Sequence, residues 1–345
     1  MADWRMPAET ERHERTWMAF PRPNDTLGAT QAEADEAYAA WTAVAHAVLE
    51  FEPVTMLVDP VERGRARRML SSEVELLEAP LNDFWLRDSG PTFVTGKDGR
   101  LGAVDWVFNG WGAQDWARWD RDALLGRLVG EAAGAEVVPS SLVQEGGAIH
   151  VDGRGTVLVT ETVQLDPHRN PGATKEQVEA ELARTLGTTT TVWLPRGLTR
   201  DYERFGTRGH IDMILTVPAP GMLLVHRQDD REHPDFEVTR GLRQVLEAAV
   251  DAEGEPFTIV DVPGPARIRD EDGFVDWNYV NHLAVNGGVV ACSYGEDVAD
   301  GRAREVLESV YPGRRVVAVE ARPILARGGG IHCITQQQPA AGVSR

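Results

Sequence analysis

The sequence predicts an α/β protein assembled from repeated units that pack around a common axis. Three observations carry this: four hairpin signals with glycine-rich turns, helical stretches between them, and a nearly constant interval from turn to turn. The first hairpin runs from residues 89–94 through Lys97-Asp98-Gly99-Arg100 into 101–106. The second runs from 148–151 through Asp152-Gly153-Arg154-Gly155 into 156–160. The third joins 210–215 to 222–226 through Pro218-Ala219-Pro220-Gly221, and the fourth joins 279–284 to 289–293 through Asn286-Gly287-Gly288. Asn-Gly and Asp-Gly between apolar runs are strong hairpin signals, because glycine takes the positive φ that tight turns require.

The turn glycines Gly99, Gly153, Gly221 and Gly287 lie 54, 68 and 66 residues apart. Helical patterns fall between the hairpins at 122–133, 175–186, 238–249 and 301–311. A unit of about 65 residues, with a hairpin, a helix and a further strand, therefore repeats. At the start of the chain, 17–21 reads as a short buried strand ending at Pro21. Ala34, Ala37, Tyr38, Trp41, Val44, Ala45 and Val48 recur at helical spacing within 30–50. Strands follow at 54–58 and 74–79, with a basic helical turn at 65–70 between them. Closed by 331–335, these elements supply a fifth unit. Each unit is too small to bury its own apolar face, so the units require one another. One closed domain spanning residues 1–345 accounts for this better than two.

Composition narrows the function. With 345 residues, 42% hydrophobic content and 10 Trp, the chain can bury a large core without disulfides or structural metal. Two cysteines and an amino terminus without an apolar leader predict a reducing, cytoplasmic setting. No run approaches the length that crosses a bilayer. A formal charge of −19 argues against nucleic acid and anionic membranes as partners and suits a small cationic substrate.

The chemistry-bearing residues stand at the mouths of the repeats. Trp85-Leu86-Arg87-Asp88 precedes the first hairpin and Gln144-Glu145-Gly146-Gly147 the second. Gly209-His210-Ile211-Asp212 opens the third, and Gly330-Ile331-His332-Cys333 belongs to the last strand. Equivalent places in pseudo-symmetric repeats meet near the axis, which brings Asp88, Glu145, His210, Asp212 and Cys333 together. Three carboxylates around one point repel unless a cation lies among them or some are protonated. A planar guanidinium, with five N–H donors, matches such a cage. His210 beside Cys333 favours the nucleophilic thiolate, and guanidinium carbon is an electron-poor target.

Other readings of the same residues exist. Cys333 on its own is also what an inert core thiol looks like. Asp, Glu, His and Cys all ligate zinc, but no C-x-x-C or H-x-x-x-H spacing occurs, and oxygen-rich zinc sites usually carry more than one histidine. A papain-like thiol hydrolase would use Cys333, His210 and an orienting amide, and would leave the three carboxylates without a task.

Six ordered blocks carry a family resemblance. They are Trp85-Leu86-Arg87-Asp88-Ser89-Gly90-Pro91, Phe108-Asn109-Gly110-Trp111-Gly112, and Glu145-Gly146-Gly147 with Ile149-His150-Val151-Asp152-Gly153. Then come Trp193-Leu194-Pro195-Arg196-Gly197-Leu198, Gly209-His210-Ile211-Asp212, and Ile331-His332-Cys333-Ile334-Thr335-Gln336-Gln337. Over nearly its whole length the chain resembles the agmatine deiminase family, relatives of the bacterial-type peptidylarginine deiminases in the guanidine-modifying superfamily. The resemblance implies a five-bladed α/β propeller (pentein) of ββαβ units. It implies hydrolysis of a guanidino group to a ureido group and ammonia, without metal or organic cofactor, by a dimer or larger assembly. For agmatine the product is N-carbamoylputrescine.

Carried over by position, Cys333 is the nucleophile that forms a covalent thiouronium, and His210 the general acid and then base. Asp88 and Asp212 hold the guanidinium nitrogens; Glu145 holds it too and assists proton transfer, while Trp85 lines the alkyl chain. Two departures bear on the substrate. The family's Gly-Gly-Asn before Ile-His-Cys is Gly329-Gly330 here, and its Asp-Thr-Asn-Gly-His-Ile-Asp-Asn run is Gly206-Thr207-Arg208-Gly209-His210-Ile211-Asp212-Met213. The segment after Trp111 is also short. An arginine near the site repels the ammonium of agmatine. Either Arg208 faces solvent or pairs with Asp201 or Glu203, or it reads the carboxylate of arginine, a peptidyl-arginine or another guanidino acid. A non-catalytic guanidine binder and an amidinotransferase are the readings from other classes.

Overall fold

The computed structural model describes residues 3–341. Its strands form five separate sheets in a mixed α/β arrangement. In the first, Thr92–Gly96 and Leu101–Val107 pair antiparallel, and Glu136–Val143 returns parallel to Leu101–Val107. His150–Val151 and Thr156–Thr160, then Thr190–Leu194, repeat the pattern. So do Leu215–Ala219, Met222–Arg227 and Thr258–Pro263. Leu283–Val285, Gly288–Ser293 and Arg315–Glu320 form the fourth. All four predicted hairpins are present, and Gly99, Gly153, Gly221 and Gly287 have φ of 82°, 73°, 74° and 72°. Only glycine takes that conformation without steric cost, so the turn chemistry fixed the strand registers.

The fifth sheet joins distant parts of the chain. Thr335–Pro339 pairs antiparallel with His13–Ala19, which pairs parallel with Val54–Val58 and through it with Glu75–Glu78. The closing strand therefore begins at Thr335, later than the 331–335 expected from sequence.

Parallel neighbours need a crossover, and a helix supplies each one. Leu125–Ala132, Lys175–Leu186, Asp235–Ala248 and Asp297–Val310 serve the first four sheets. Gln31–Leu49 serves the fifth and starts at a capping box in which Thr30 and Glu33 satisfy each other's backbone N–H groups. Its predicted apolar face, Ala34 to Val48, is buried. Val54–Val58 is buried at every position, as expected for a strand covered on both faces.

The structure departs from the sequence reading just ahead of the strands. Ile211–Met213 and His332–Ile334 are single 3₁₀ turns, where strand starts were predicted. Asp88 lies in the short helical turn Leu86–Ser89, and Glu145 directly precedes the 3₁₀ turn Gly146–Ala148. An isolated turn buries polar side chains on several bearings at once, whereas a strand would send alternate residues to opposite faces.

Candidate active site

The four turns, together with the loop before Leu283–Val285, place their polar residues around one buried point. Backbone geometry at Gly147 locates it. A methyl group there would lie 2.6 Å from His210 Nδ1 and 2.9 Å from both Asp212 Oδ2 and Asp88 Oδ1. A methyl at Gly329 would lie 3.0 Å from Cys333 Sγ and 2.8 Å from the Trp85 ring. Asp88, Glu145, His210, Asp212, Cys333 and Trp85 are all buried. The residues expected to converge do so.

Each carboxylate is oriented by neutral donors or a buried cation. Asp88 accepts from Trp111 Nε1 at 2.9 Å and from the Gly147 N–H at 3.0 Å. Burial pushes Asp88 up to about 6; His210 opposes this, and Asp212 adds to it. Glu145 receives Arg169 Nε at 2.9 Å on Oε1 and 3.1 Å on Oε2, and His210 Nε2 lies 3.3 Å from the same Oε2. Burial works against its charge, but Arg169 and His210 outweigh burial and hold its carboxyl below the usual range. Asp212 Oδ2 lies 2.7 Å from His332 Nδ1, which holds Asp212 low despite burial. Asp212 Oδ1 and His210 Nδ1 are buried without a hydrogen-bond partner.

The histidine and the thiol move in the same direction. Burial disfavours a charged His210, yet Asp88, Glu145 and Asp212 raise it to about 9, so the ring is cationic at neutral pH. Burial, then Asp212 and Asp88, push the Cys333 thiol well above its ordinary value. The ligand-free site therefore holds a thiol and an imidazolium, not the thiolate expected from His210 beside Cys333, because burial and the carboxylates Asp212 and Asp88 dominate at the sulfur. Asn281 Nδ2 donates to Cys333 Sγ at 3.2 Å and to the Asp212 carbonyl at 3.1 Å, while its Oδ1 accepts from the His332 N–H at 2.9 Å.

The site is roofed by aromatic rings. Trp111 stacks on Trp116 at 5.3 Å, and Trp116 meets Phe205 edge-on at 5.0 Å. Among the described residues, the non-glycine positions with left-handed φ are Trp111, Ala113, Phe205 and Arg208, all in the two segments that form this roof. Such conformations cost free energy and persist where surrounding contacts impose them.

Arg208 pairs with neither Asp201 nor Glu203. Its Nη1 lies 3.2 Å from Asp166 Oδ2, which also receives Arg169 Nη1 at 2.9 Å. Asp201 is occupied by the backbone N–H groups of Thr207, Gly209 and His210, shaping the loop that carries the histidine. The Arg208 side chain is 32% exposed. Gly330 packs against Asn281, since a methyl at Gly330 would lie 2.4 Å from Asn281 Oδ1.

Several partners escaped sequence reasoning: Arg169, Trp111, Glu9, His332 and Asn281. Asn281 had a signal. It occupies in the fourth unit the place that Asp88, Glu145, Asp212 and Cys333 occupy in the others. Among the described residues, no group of three or more His, Cys, Asp or Glu is arranged to hold a metal ion.

The family model for Porphyromonas-type peptidyl-arginine deiminases matches residues 5–339. The chain is 53% identical over 337 residues to a Streptomyces coelicolor protein provisionally named agmatine deiminase, with 97% of this chain and 99% of that one covered. The chain belongs to the agmatine deiminase family. It is 39% identical over 360 residues to the agmatine deiminase of Ectopseudomonas mendocina, covering 97% of this chain and 95% of that one. The agmatine deiminase of Enterococcus faecalis superposes with a TM-score of 0.92 at 31% identity, covering 99% of this chain and 97% of that chain. Like its relatives, this deiminase is a hydrolase of guanidino C–N bonds. No helix among its described residues is long and apolar enough to cross a membrane.

Proposed function

We propose that this deiminase hydrolyses agmatine to N-carbamoylputrescine and ammonia through a covalent intermediate on Cys333. The observation that carries this is the ring of Asp88, Glu145 and Asp212 around His210 and Cys333, with Asp212 Oδ1 and His210 Nδ1 buried and unpartnered. We also take the five sheets to be blades closing one catalytic domain over residues 1–345, in the reducing cytoplasm that two unpaired thiols suit. The repeated pairing pattern supports the first part.

Charge balance gives the order of events. Asp88, Glu145 and Asp212 face the thiol and His210, with Arg169 and His332 as the cations paired to Glu145 and Asp212. A bound guanidinium adds one positive charge among the carboxylates that hold the thiol up, so Cys333 loses its proton to solvent. The thiolate attacks the guanidinium carbon and forms a C–S bond. The His210 imidazolium gives its proton to the departing nitrogen, which leaves as ammonia, and a thiouronium remains. Neutral His210 then takes a proton from water as the oxygen adds to the same carbon. The C–S bond breaks, the ureido product leaves, and the hydroxyl proton returns to the thiolate.

Acid quenching during turnover followed by peptide mass spectrometry tests the intermediate. A substrate-derived adduct on Cys333 is expected; steady turnover with no adduct under rapid quench, and retained turnover in Cys333→Ser, would refute the nucleophile. A colour assay for ureido products across agmatine, arginine and guanidino acids tests the substrate. One observation favours a second reading, a substrate bearing a carboxylate: Arg208 is part-exposed and contacts only one carboxylate, which it shares with Arg169. Under that reading, arginine or a guanidino acid gives the higher kcat/KM.

A further inference from the structure

The ring of His332, next to the candidate nucleophile, has carboxylates at both nitrogens. Nδ1 lies 2.7 Å from Asp212 Oδ2 and Nε2 lies 2.9 Å from Glu9 Oε2. All three side chains are buried. A neutral imidazole carries one N–H and can satisfy only one of these acceptors; an imidazolium satisfies both. Glu9 is itself anchored, since its Oε1 accepts the Ala284 N–H at 2.7 Å.

The remaining surroundings bear on that charge. Arg87, from the turn before the first hairpin, opposes it, as does burial. His150 stacks on the ring at 5.0 Å, and burial pushes His150 down to about 3, so the stacked partner is neutral. His282 is held neutral by burial as well. His210, Asp88 and the Cys333 thiol lie beyond Asp212, where Asp88 and Asp212 form a pair of like charges. Glu9 and Asp212 thus supply the compensation for a buried imidazolium, and the ring in turn supplies theirs.

We propose that Glu9 and His332 are positioning residues: the chain Glu9–His332–Asp212 fixes Asp212 Oδ2 beside Cys333 Sγ and leaves the buried, unpartnered Oδ1 free for the guanidinium. The imidazolium also keeps Asp212 ionised beside Asp88, so the cage stays ready for a cation. Asn281 ties this chain to the thiol, because its amide accepts from the His332 N–H and donates to Cys333. This extends the proposed reaction, as it assumes that Asp212 grips a guanidinium.

Two measurements test it. Nitrogen-15 NMR of histidine-labelled, ligand-free protein reads the His332 ring directly and does not depend on the substrate. A doubly protonated ring at pH 7 is expected, and a neutral ring would overturn the proposal even if deimination stands. In the second, His332→Asn keeps a neutral donor towards Asp212 and removes the charge. Its acid limb of kcat/KM should move up by one pH unit or more, with KM raised at least ten-fold and kcat changed less. A uniform loss at every pH, with kcat and KM affected alike, would reduce His332 to a structural residue. Wild-type protein that turns over no guanidine would count against the reaction instead, with the NMR result unaffected.

Discussion

A single methyl group at Gly147 provides a direct test of where substrate sits. This glycine is not left-handed, so Gly147→Ala imposes no backbone strain. The new Cβ would lie 2.6 Å from His210 Nδ1 and 2.9 Å from Asp212 Oδ2 and Asp88 Oδ1. Ordinary contacts to carbon lie at ~3.5 Å, so each of these groups must retreat by roughly 0.6–0.9 Å. Overpacking of this size costs about 1–3 kcal/mol of stability, which a chain with this much buried core tolerates. A misplacement approaching ~1 Å at reacting groups costs on the order of 10²-fold in rate. The expected result is therefore a folded protein whose kcat/KM on its best guanidino substrate falls at least a hundred-fold. Ureido-product formation measures the rate, and thermal melting followed by circular dichroism measures the fold. Activity within ten-fold of wild type, in a protein with an unchanged melt, would mean that the guanidinium does not occupy this cage.

Further outcomes follow from the same geometry. Cys333→Ser should abolish turnover with the fold intact, whereas Cys292→Ser should leave most activity. Cys292 lies in the strand Gly288–Ser293, where burial lifts its thiol to about 12 and its one bond goes to the Asn281 carbonyl. The pH profile of kcat/KM should climb with pH and level off. Cys333 must lose a proton and Asp88 must be ionised, so activity falls as pH drops, most steeply below about 6; His210 must be protonated, so the climb stops as pH rises through about 9. A flat profile between pH 5 and 10 would contradict the assigned acid. Arg169→Met removes the nearer of the two buried cations that face Glu145 and should cost about 3–5 kcal/mol in denaturant melts; a loss under ~1 kcal/mol would show the pair to be dispensable. If Arg208 reads a carboxylate, Arg208→Ala should harm arginine-like substrates far more than agmatine, and equal effects would end that reading.

The hairpins were legible because their turns demand glycine, and Gly99, Gly153, Gly221 and Gly287 do take the left-handed conformation. The candidate cluster was legible through its equivalent positions in successive units, which chain order alone would not reveal. The residues that tune it were not. Arg169 reaches Glu145, Asp166 and the Thr207 carbonyl from a loop that carries no repeat signal. Glu9 meets His332 across 323 positions of chain, and nothing local marks either as half of a pair. Reading the third and last mouths as strands missed the 3₁₀ turns, since Ile211 and Ile331 look alike in a strand or a buried turn. Arg208 was recognised as out of pattern, but its partner Asp166 lies 42 residues away and was invisible.

The sheet that joins Thr335–Pro339 to His13–Ala19 has a consequence for how the enzyme comes to life on the ribosome. Three sheets are built from strands that follow one another closely, the first sheet adds Trp4–Arg5 against Thr92–Gly96, and all four can form as the chain emerges. The fifth waits with its edge open until residues 335–339 arrive, and Cys333 and His332 enter their places in the same closing step. A partly made chain can therefore assemble its carboxylates but has no thiol docked among them. The candidate nucleophile thus takes its place with the last sheet to be completed.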